Sequence, residues 1–225
     1  MQISVVIPVL NEEKHIRATI EALRPHKPHE ILVVDGGSSD RTKEICEGLG
    51  VTWLSSPRSR GRQMNQGARQ ATGDVLLFLH ADTCLPVTAF GDIRGALKDP
   101  RCVGGRFDVT LDSDHWMLKV IGTMISWRSR ITKVGTGDQA MFVRREVFSE
   151  LGGFPDIPLM EDIAFSRALK RRGKVACLHS RVVTSARRWQ KEGVWRTVLK
   201  MWTLKSLYLL GVSPFRLKRY YGDGR

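Results

Sequence analysis

Apolar and polar positions along the chain follow two alternating rhythms. Ile3 to Pro8, Ile31 to Val34, Val51 to Leu54 and Val75 to Leu79 are short apolar runs that read as strands. Between them, apolar residues recur at helical spacing: Ile16, Ile20 and Leu23, then Ile45 and Leu49, then Met64, Ala68 and Ala71. The punctuation agrees. Asn11 can cap the first helix, Glu12 and Glu13 suit its positive end, and Pro25 and Pro28 end it. Asp40 caps the second helix and Gly50 stops it, while Gly73 closes a third over 62–71. Strands alternating with helices predict a mostly parallel sheet with right-handed crossovers.

Past residue 100 the pattern is less regular. Cys102 to Leu111 alternates like a strand, Trp116 to Trp127 forms an apolar helix, and Ala140 to Val143 is another strand. A helix ending at Gly152-Gly153 follows, then a helix from Ile163 to Arg172 and an extended stretch, Val175 to Leu178. In Val194 to Leu210, the residues Trp195, Val198, Leu199, Trp202, Leu207 and Leu209 cover a broad apolar arc, with Arg196, Lys200 and Thr203 opposite and Lys205 intruding. Such a helix either lies on an anionic membrane surface or packs on the domain or on a second copy in a homodimer. Neither a repeat nor a disordered linker separates the halves, so they should share one core.

Bulk properties narrow the class. A chain of 225 residues fits one domain. It lacks a run of about 18 uncharged apolar residues. It opens on Ile3-Ser4-Val5-Val6-Ile7 without a basic start and cleavage site, so no signal peptide is expected. Cys46, Cys84, Cys102 and Cys177 are scattered, which argues against a zinc site or a disulfide framework and for a reduced, cytoplasmic setting. The net charge of +13 is unevenly placed: residues 1–100 hold 12 Lys/Arg and 12 Asp/Glu, whereas 163–225 hold 16 Lys/Arg against Glu192 and Asp223. That excess suits an anionic membrane, an acidic substrate or nucleic acid.

Two strands end on carboxylates, in Asp35-Gly36-Gly37 and in His80-Ala81-Asp82. The C-terminal edge of an open α/β sheet is where ligands bind. Asp35 either accepts hydrogen bonds from a nucleobase or ribose or stabilises its own glycine turn. The spacing is not GxGxxG, so a dinucleotide fingerprint is unsupported. Asp82, at the end of an apolar strand, needs solvent, a donor or a cation, and Mg²⁺ or Mn²⁺ binds through one or two carboxylates plus substrate phosphates. His80 points to the same side of an extended chain and is a candidate second ligand. Arg58, Arg60 and Arg62 precede a helix start, a combination that suits phosphate or a solvated loop. Met160-Glu161-Asp162 opens a helix whose N-terminus favours an anion, as a general base or simply as a cap. Gly135-Thr136-Gly137-Asp138-Gln139 is either an acceptor-side lid, with Asp138 and Gln139 as its polar groups, or a surface turn.

Taken together, Pro8-Val9-Leu10-Asn11-Glu12, Val33 to Thr42, Asn65 with Gly67 and Ala68, Thr72-Gly73-Asp74, Phe78 to Asp82, Phe142 to Arg145, Gly152-Gly153-Phe154 and Glu161-Asp162 resemble the family 2 glycosyltransferases of GT-A fold. The likeness covers about residues 1–175 and looks nearest a short bacterial subgroup associated with radical-SAM and selenoprotein gene neighbourhoods. It implies a GT-A domain over 1–185, with a nucleotide-sugar half (1–100) and an acceptor half (101–185), followed by a basic amphipathic extension over 186–225. It also implies an inverting transfer of a hexose from a UDP-sugar, with GDP-sugar second, to an acceptor hydroxyl that is lipid-linked or anionic, at the inner face of the membrane. Pro8, Asn11, Glu12, Asp35, Gly37, Arg62, Asn65, Ala81 and Asp82 would contact the nucleotide sugar. Asp82, with His80, would hold Mn²⁺ or Mg²⁺, and Asp162 beside Glu161 would be the base. Arg187-Arg188-Trp189 partly matches a motif that closes over the diphosphate, adding Arg188 and Trp189. Where relatives carry Asp-x-Asp this chain has His80-Ala81-Asp82, which tilts the metal towards Mn²⁺. That departure motivates one rival, a sugar-nucleotide-binding regulator without turnover. The basic charge motivates another, a nucleic-acid-binding protein, against which stand few Phe and Tyr and no recognised module.

Overall fold

The protein is described here by a computed structural model covering residues 1–221; residues 222–225 of the expected extension, with Asp223 and Arg225, lie outside the described residues. Strands β1 (Ile3–Val9), β2 (Glu30–Asp35), β3 (Thr52–Ser55) and β4 (Val75–Phe78) alternate with helices α1 (Ile16–Leu23), α2 (Thr42–Gly48) and α3 (Arg60–Gln70). Then come β5 (Thr83–Cys84), α4 (Ala89–Ala96), β6 (Cys102–Asp112), α5 (Trp116–Thr132), β7 (Phe142–Arg144), α6 (Arg145–Glu150), α7 (Glu161–Arg172) and β8 (Lys174–Ser185). Three helices close the chain: α8 (Arg187–Glu192), α9 (Val194–Leu209) and α10 (Pro214–Tyr221).

The strands form one sheet in the order β3-β2-β1-β4-β7-β6-β8-β5. The first four are parallel, with Val5 beside Ile31 and Leu77, so their C-terminal ends share one edge. Parallel strands covered on both faces read as unbroken apolar runs, which is why β1, β2 and β4 carry no polar alternation. One layer packs Val5, Ile7, Val33 and Leu77 under Ile16, Ile20, Phe90 and Ile93. The other packs Val6, Val34 and Leu76 against Met64, Phe154 and Phe165.

The expectation of a mostly parallel sheet holds, since β1 to β4 are parallel and so is the long β6–β8 pair, and two strands add antiparallel contacts. β7 runs antiparallel to both β4 and β6, and β5 antiparallel to β8. β8 extends twelve residues, far past the expected Val175–Leu178, because it bends alongside β6 with a register shift between Arg106 and Asp108. Helix α4 was not anticipated. Gly91 and Gly95 dilute its signal, each costing about 1 kcal/mol of helix propensity against Ala, yet Phe90, Ile93 and Leu97 bury at helical spacing. Nor does Asn11 cap α1. It sits in left-handed backbone at φ 54°, and its side chain instead accepts from the Ser39 N–H. α1 opens at His15 without a side-chain cap. The N-cap of α2 is Arg41 and not the expected Asp40, whose carboxylate, one residue earlier, still accepts from the Thr42 N–H.

Candidate functional site

The parallel strands end at a cleft of about 1770 Å³, closed on the far side by α5 and by α8 to α10. His80 and Asp82 enter it from the loop after β4, Glu161 and Asp162 from the start of α7, and Arg60 from the start of α3. Two carboxylates from distant segments therefore face one space, as the sequence predicts. Asp35 does not line it. It stands behind Gln63, whose amide donates to the Val9 and Val34 carbonyls at 2.8 Å, tying α3 to the sheet edge.

Each carboxylate is held differently. Asp35 accepts from the Gly37 N–H at 3.0 Å, from the Ser38 N–H and from the Ser38 hydroxyl at 2.6 Å. Its turn-stabilising reading is thus realised, with Gly37 supplying φ 97°. Asp82 is gripped by Arg187, Nη2 lying 3.0 Å from its Oδ2. The same guanidinium donates twice to Glu12, at 2.7 and 2.9 Å. Those hydrogen bonds, opposed by burial and aided by the Asp82 charge, lift the Arg187 pKa above its ordinary value. Glu12 is only 2% exposed, so it acts as a buried counter-ion for Arg187.

Asp162 accepts from the Ile163 N–H at 2.7 Å through Oδ1 and from the Gly137 N–H at 2.8 Å through Oδ2. Those two donors fix it at the cleft wall. Gly137 is required there, since a Cβ would come within 2.8 Å of His80 Nε2. The loop 135–139 is therefore part of the site rather than a free surface turn. Asp138 lines the cleft, whereas Gln139 is fully buried, donating to the Phe107 carbonyl and the Ser129 hydroxyl. The expected acceptor contact by Gln139 gives way to a role inside the loop. Glu161 is buried with Arg60 at 3.7 Å. Burial, the largest single influence, would lower the Arg60 pKa, but the charges of Glu161, Tyr221, Asp162 and Asp82 together outweigh it and the shift is upward.

Other expected contacts are placed elsewhere. Asn65 clamps Phe154, accepting from its N–H and donating to its carbonyl at 2.8 Å each, because Gly152-Gly153 turns beneath it. Arg62 makes a bidentate exposed pair with Asp156 at the cleft rim. Pro8 and Ala81 are buried, the Ala81 carbonyl accepting from Thr19. Asn11 holds the Ser38-Ser39 turn. Trp189 lines the cleft, while Arg188 stacks over Tyr221 at 4.1 Å and pairs with Glu192.

A metal held by His80 and Asp82 together does not fit as expected, because Nε2 of His80 is shielded from solvent against Gly137 on the Asp162 side. Among the described residues no three His, Cys, Asp or Glu side chains gather round a metal position. What remains is a single carboxylate, Asp82, the sparse donor set that Mg²⁺ or Mn²⁺ completes with phosphate oxygens and water.

The sequence reading leaves out Gln63, undervalues Arg60, and names Arg187 only as the first residue of the Arg187-Arg188-Trp189 motif, without its partners; the signal for those was Glu12, which a buried fold must neutralise.

The chain is 27% identical to a probable glycosyltransferase, YdaM, of Bacillus subtilis over 97% of its length, and spans 59% of that relative. The fold is shared with S. aureus TarS 1–349 in complex with UDP, at TM-score 0.67 and 20% identity over 82% of this chain and 60% of that one. It is shared also with glucosyl-3-phosphoglycerate synthase of Mycobacterium tuberculosis in complex with Mn²⁺, UDP and glucosyl-3-phosphoglycerate, at TM-score 0.60 and 20% identity over 80% and 70%. Residues 4–152 match glycosyl transferase family 2. Two thirds of the chain thus carry that family's pattern on its α/β sheet, and the protein belongs to glycosyl transferase family 2.

Proposed function

We propose that the protein transfers a hexose from a UDP-sugar to an acceptor hydroxyl with inversion at the anomeric carbon. The observation that carries this is the pairing in one cleft of Asp82, beside Arg187, with Asp162, pinned by the Gly137 N–H. In this reading Asp162 takes the acceptor proton, the freed oxygen bonds to the anomeric carbon, and the bond to the β-phosphate oxygen breaks with its electrons leaving on UDP. Asp82 would hold Mn²⁺ or Mg²⁺, which when bound would neutralise the diphosphate. Arg60 and Arg187 add fixed positive charge at the same wall, and Asp35 shapes the Gly37-Ser38 turn beside it. The solved relatives that hold UDP, one with Mn²⁺, support the choice of donor and metal. The acid-poor helices round the cleft support a location against an anionic membrane, which we assign to its cytoplasmic face; we divide the chain into a catalytic domain over 1–185 and a C-terminal extension.

Release of UDP from a panel of UDP-hexoses with Mn²⁺ tests the reading. Mn²⁺-dependent UDP release that vanishes in Asp82→Ala is expected; no release from any UDP-, GDP- or dTDP-sugar overturns it. The Arg187–Asp82 ion pair favours one second reading, donor binding without turnover, which tight UDP-sugar binding with no release under any acceptor would establish.

A further inference from the structure

The wall of the cleft opposite the sheet edge has a composition of its own. On α5, Trp116, Val120, Met124, Trp127 and Ile131 follow one another three or four positions apart, so they share a face, and all are exposed. On α9, Trp195, Leu199 and Trp202 do the same, and Leu209 follows two turns on, also exposed. Met124, Trp127 and Ile131 line the cleft together with Trp202, Leu209 and Phe215 of α10. Trp127 and Trp202 remain 66% and 63% exposed there, a cost in water that an apolar occupant would remove. Helices α5, α9 and α10 together carry nine Lys/Arg and no Asp or Glu.

Three of those cations, Arg128, Lys205 and Lys218, line the cleft. Lys205 lies within reach of the Arg128 charge and of the Asp138 and Asp162 charges. Nη2 of Arg128 is shielded from solvent and has no hydrogen-bond partner among the described residues. Burial, and then the Arg128 charge, push the Lys205 amine below its ordinary value, with Asp138 and Asp162 acting against the shift. A desolvated like-charged pair with an unmet donor is what an anion would relieve.

We propose that this wall is the acceptor site and that it takes the phosphate and chain of a lipid-linked acceptor: the phosphate between Arg128 and Lys205, the apolar chain along the groove bordered by Trp127 and Trp202, and the hydroxyl to be glycosylated on the headgroup beyond the phosphate, towards Asp162. Charge complementarity selects the occupant. A neutral lipid would leave both cations unmet, and a soluble sugar phosphate would leave the tryptophans in water. The lipid chain leads out of the cleft between the two exposed stripes, so the mouth opens at a bilayer surface, where Trp and Lys/Arg side chains are at home. The role as acceptor rests on the glycosyl-transfer reading, since Asp162 borders the pair; the binding itself does not.

Calorimetric titration of the whole protein with octyl phosphate, octanol and inorganic phosphate, with and without UDP, tests the assignment. Octyl phosphate should bind at least about tenfold more tightly than either fragment, since each buried methylene and each charge-assisted hydrogen bond adds about 1 kcal/mol or more. Arg128→Gln and Lys205→Gln should each lose about tenfold for octyl phosphate and nothing for octanol, the loss expected of one hydrogen bond to a charged group. Trp127→Ala with Trp202→Ala should weaken octyl phosphate and spare inorganic phosphate. Circular dichroism verifies that each variant is folded, and Arg128→Lys retains part of the affinity if the charge matters. Octyl phosphate binding unaffected by both Arg128→Gln and Lys205→Gln overturns the proposal, as does affinity no better than that of inorganic phosphate. Displacement of UDP by octyl phosphate also overturns it, because the cations would then belong to the donor. Octyl phosphate binding intact in a protein that takes no nucleotide sugar overturns the acceptor role and the transferase reading together; UDP-sugar binding without octyl phosphate binding overturns this proposal alone.

Discussion

The two walls of the cleft are built on opposite plans. On the sheet edge nearly every polar group is spoken for: Asp35 by three donors of its own turn, Glu12 by two bonds from Arg187, Gln63 by two carbonyls. On the helical wall the charges are of one sign and large apolar side chains stand in water. α9 buries only Thr197 and Leu204, and α10 only Leu217. A preorganised wall suits a ligand whose polar pattern never changes, because the ordering cost is met during folding. A one-sided cationic and apolar wall suits a ligand recognised by chain and charge alone. In the proposed reading the chemistry belongs to the first wall and the choice of acceptor to the second.

That division breaks or sharpens under substitution, beginning with the largest effect. Asp162→Asn keeps the shape and removes the base, so kcat for transfer should fall by about 10²–10⁴-fold, while UDP affinity measured by calorimetry stays unchanged. A variant with full turnover would take the base away from the sheet-edge wall and leave the comparison without its chemical half. Next comes Arg187→Ala, which takes the guanidinium from buried Glu12 and leaves it His15, whose Nδ1 lies 3.2 Å away. Stripping one partner from a buried pair costs about 3–5 kcal/mol, and because Arg187 is itself part-exposed the lower end is expected in urea unfolding. A loss below 1 kcal/mol would show that Glu12 is neutralised by other means and that this wall is less tightly built than the distances imply.

How far the sequence discloses each wall follows the same division. The parallel strands were legible because burial on both faces leaves a continuous apolar run, and the carboxylates at their ends because the edge of such a sheet is a ligand site. The partners of those carboxylates were not. Arg187 reaches Glu12 across 175 positions, and no local pattern encodes that pairing. Gln63 and Asn65 illustrate the same limit: one was passed over and the other read as a ligand contact, yet both are clamps whose job is set by the turn each meets in space. The helical wall was half visible. The spacing on α9 exposed its amphipathic face, whereas Trp116 to Trp127 reads equally as a core helix until the sheet is seen to leave one side of it uncovered.

A smaller effect tests how closely the sheet-edge layer is packed. Gly67 of α3 lies against β1 and β2, where an added Cβ would meet Val6 Cγ1 at 2.4 Å and Val34 Cγ2 at 3.0 Å. Gly67→Ala would ordinarily gain helix propensity, but overpacking of a filled core costs about 1–3 kcal/mol, so a lower urea midpoint is expected. An unchanged midpoint would mean that α3 can lift away, and with it Gln63 and Arg60.

The smallest effect belongs to the helical wall and has the opposite sign. Burial first, and the Arg128 charge second, hold the Lys205 pKa in the folded protein below its ordinary value, so the native state binds that proton less tightly than the unfolded chain. At neutral pH the charged amine therefore costs stability, and the cost disappears as pH rises through the lowered native pKa towards the ordinary lysine range, where the unfolded chain still holds the proton. Lys205→Gln should accordingly raise the Tm slightly at pH 7 and flatten the alkaline rise that the wild type shows, with buffers matched for ionic strength. Octyl phosphate should narrow the gap by supplying the missing counter-charge to the wild type only. A Tm lowered by Lys205→Gln at pH 7 would mean that the amine is satisfied within the protein, and the two walls would then be alike in leaving no charge unmet.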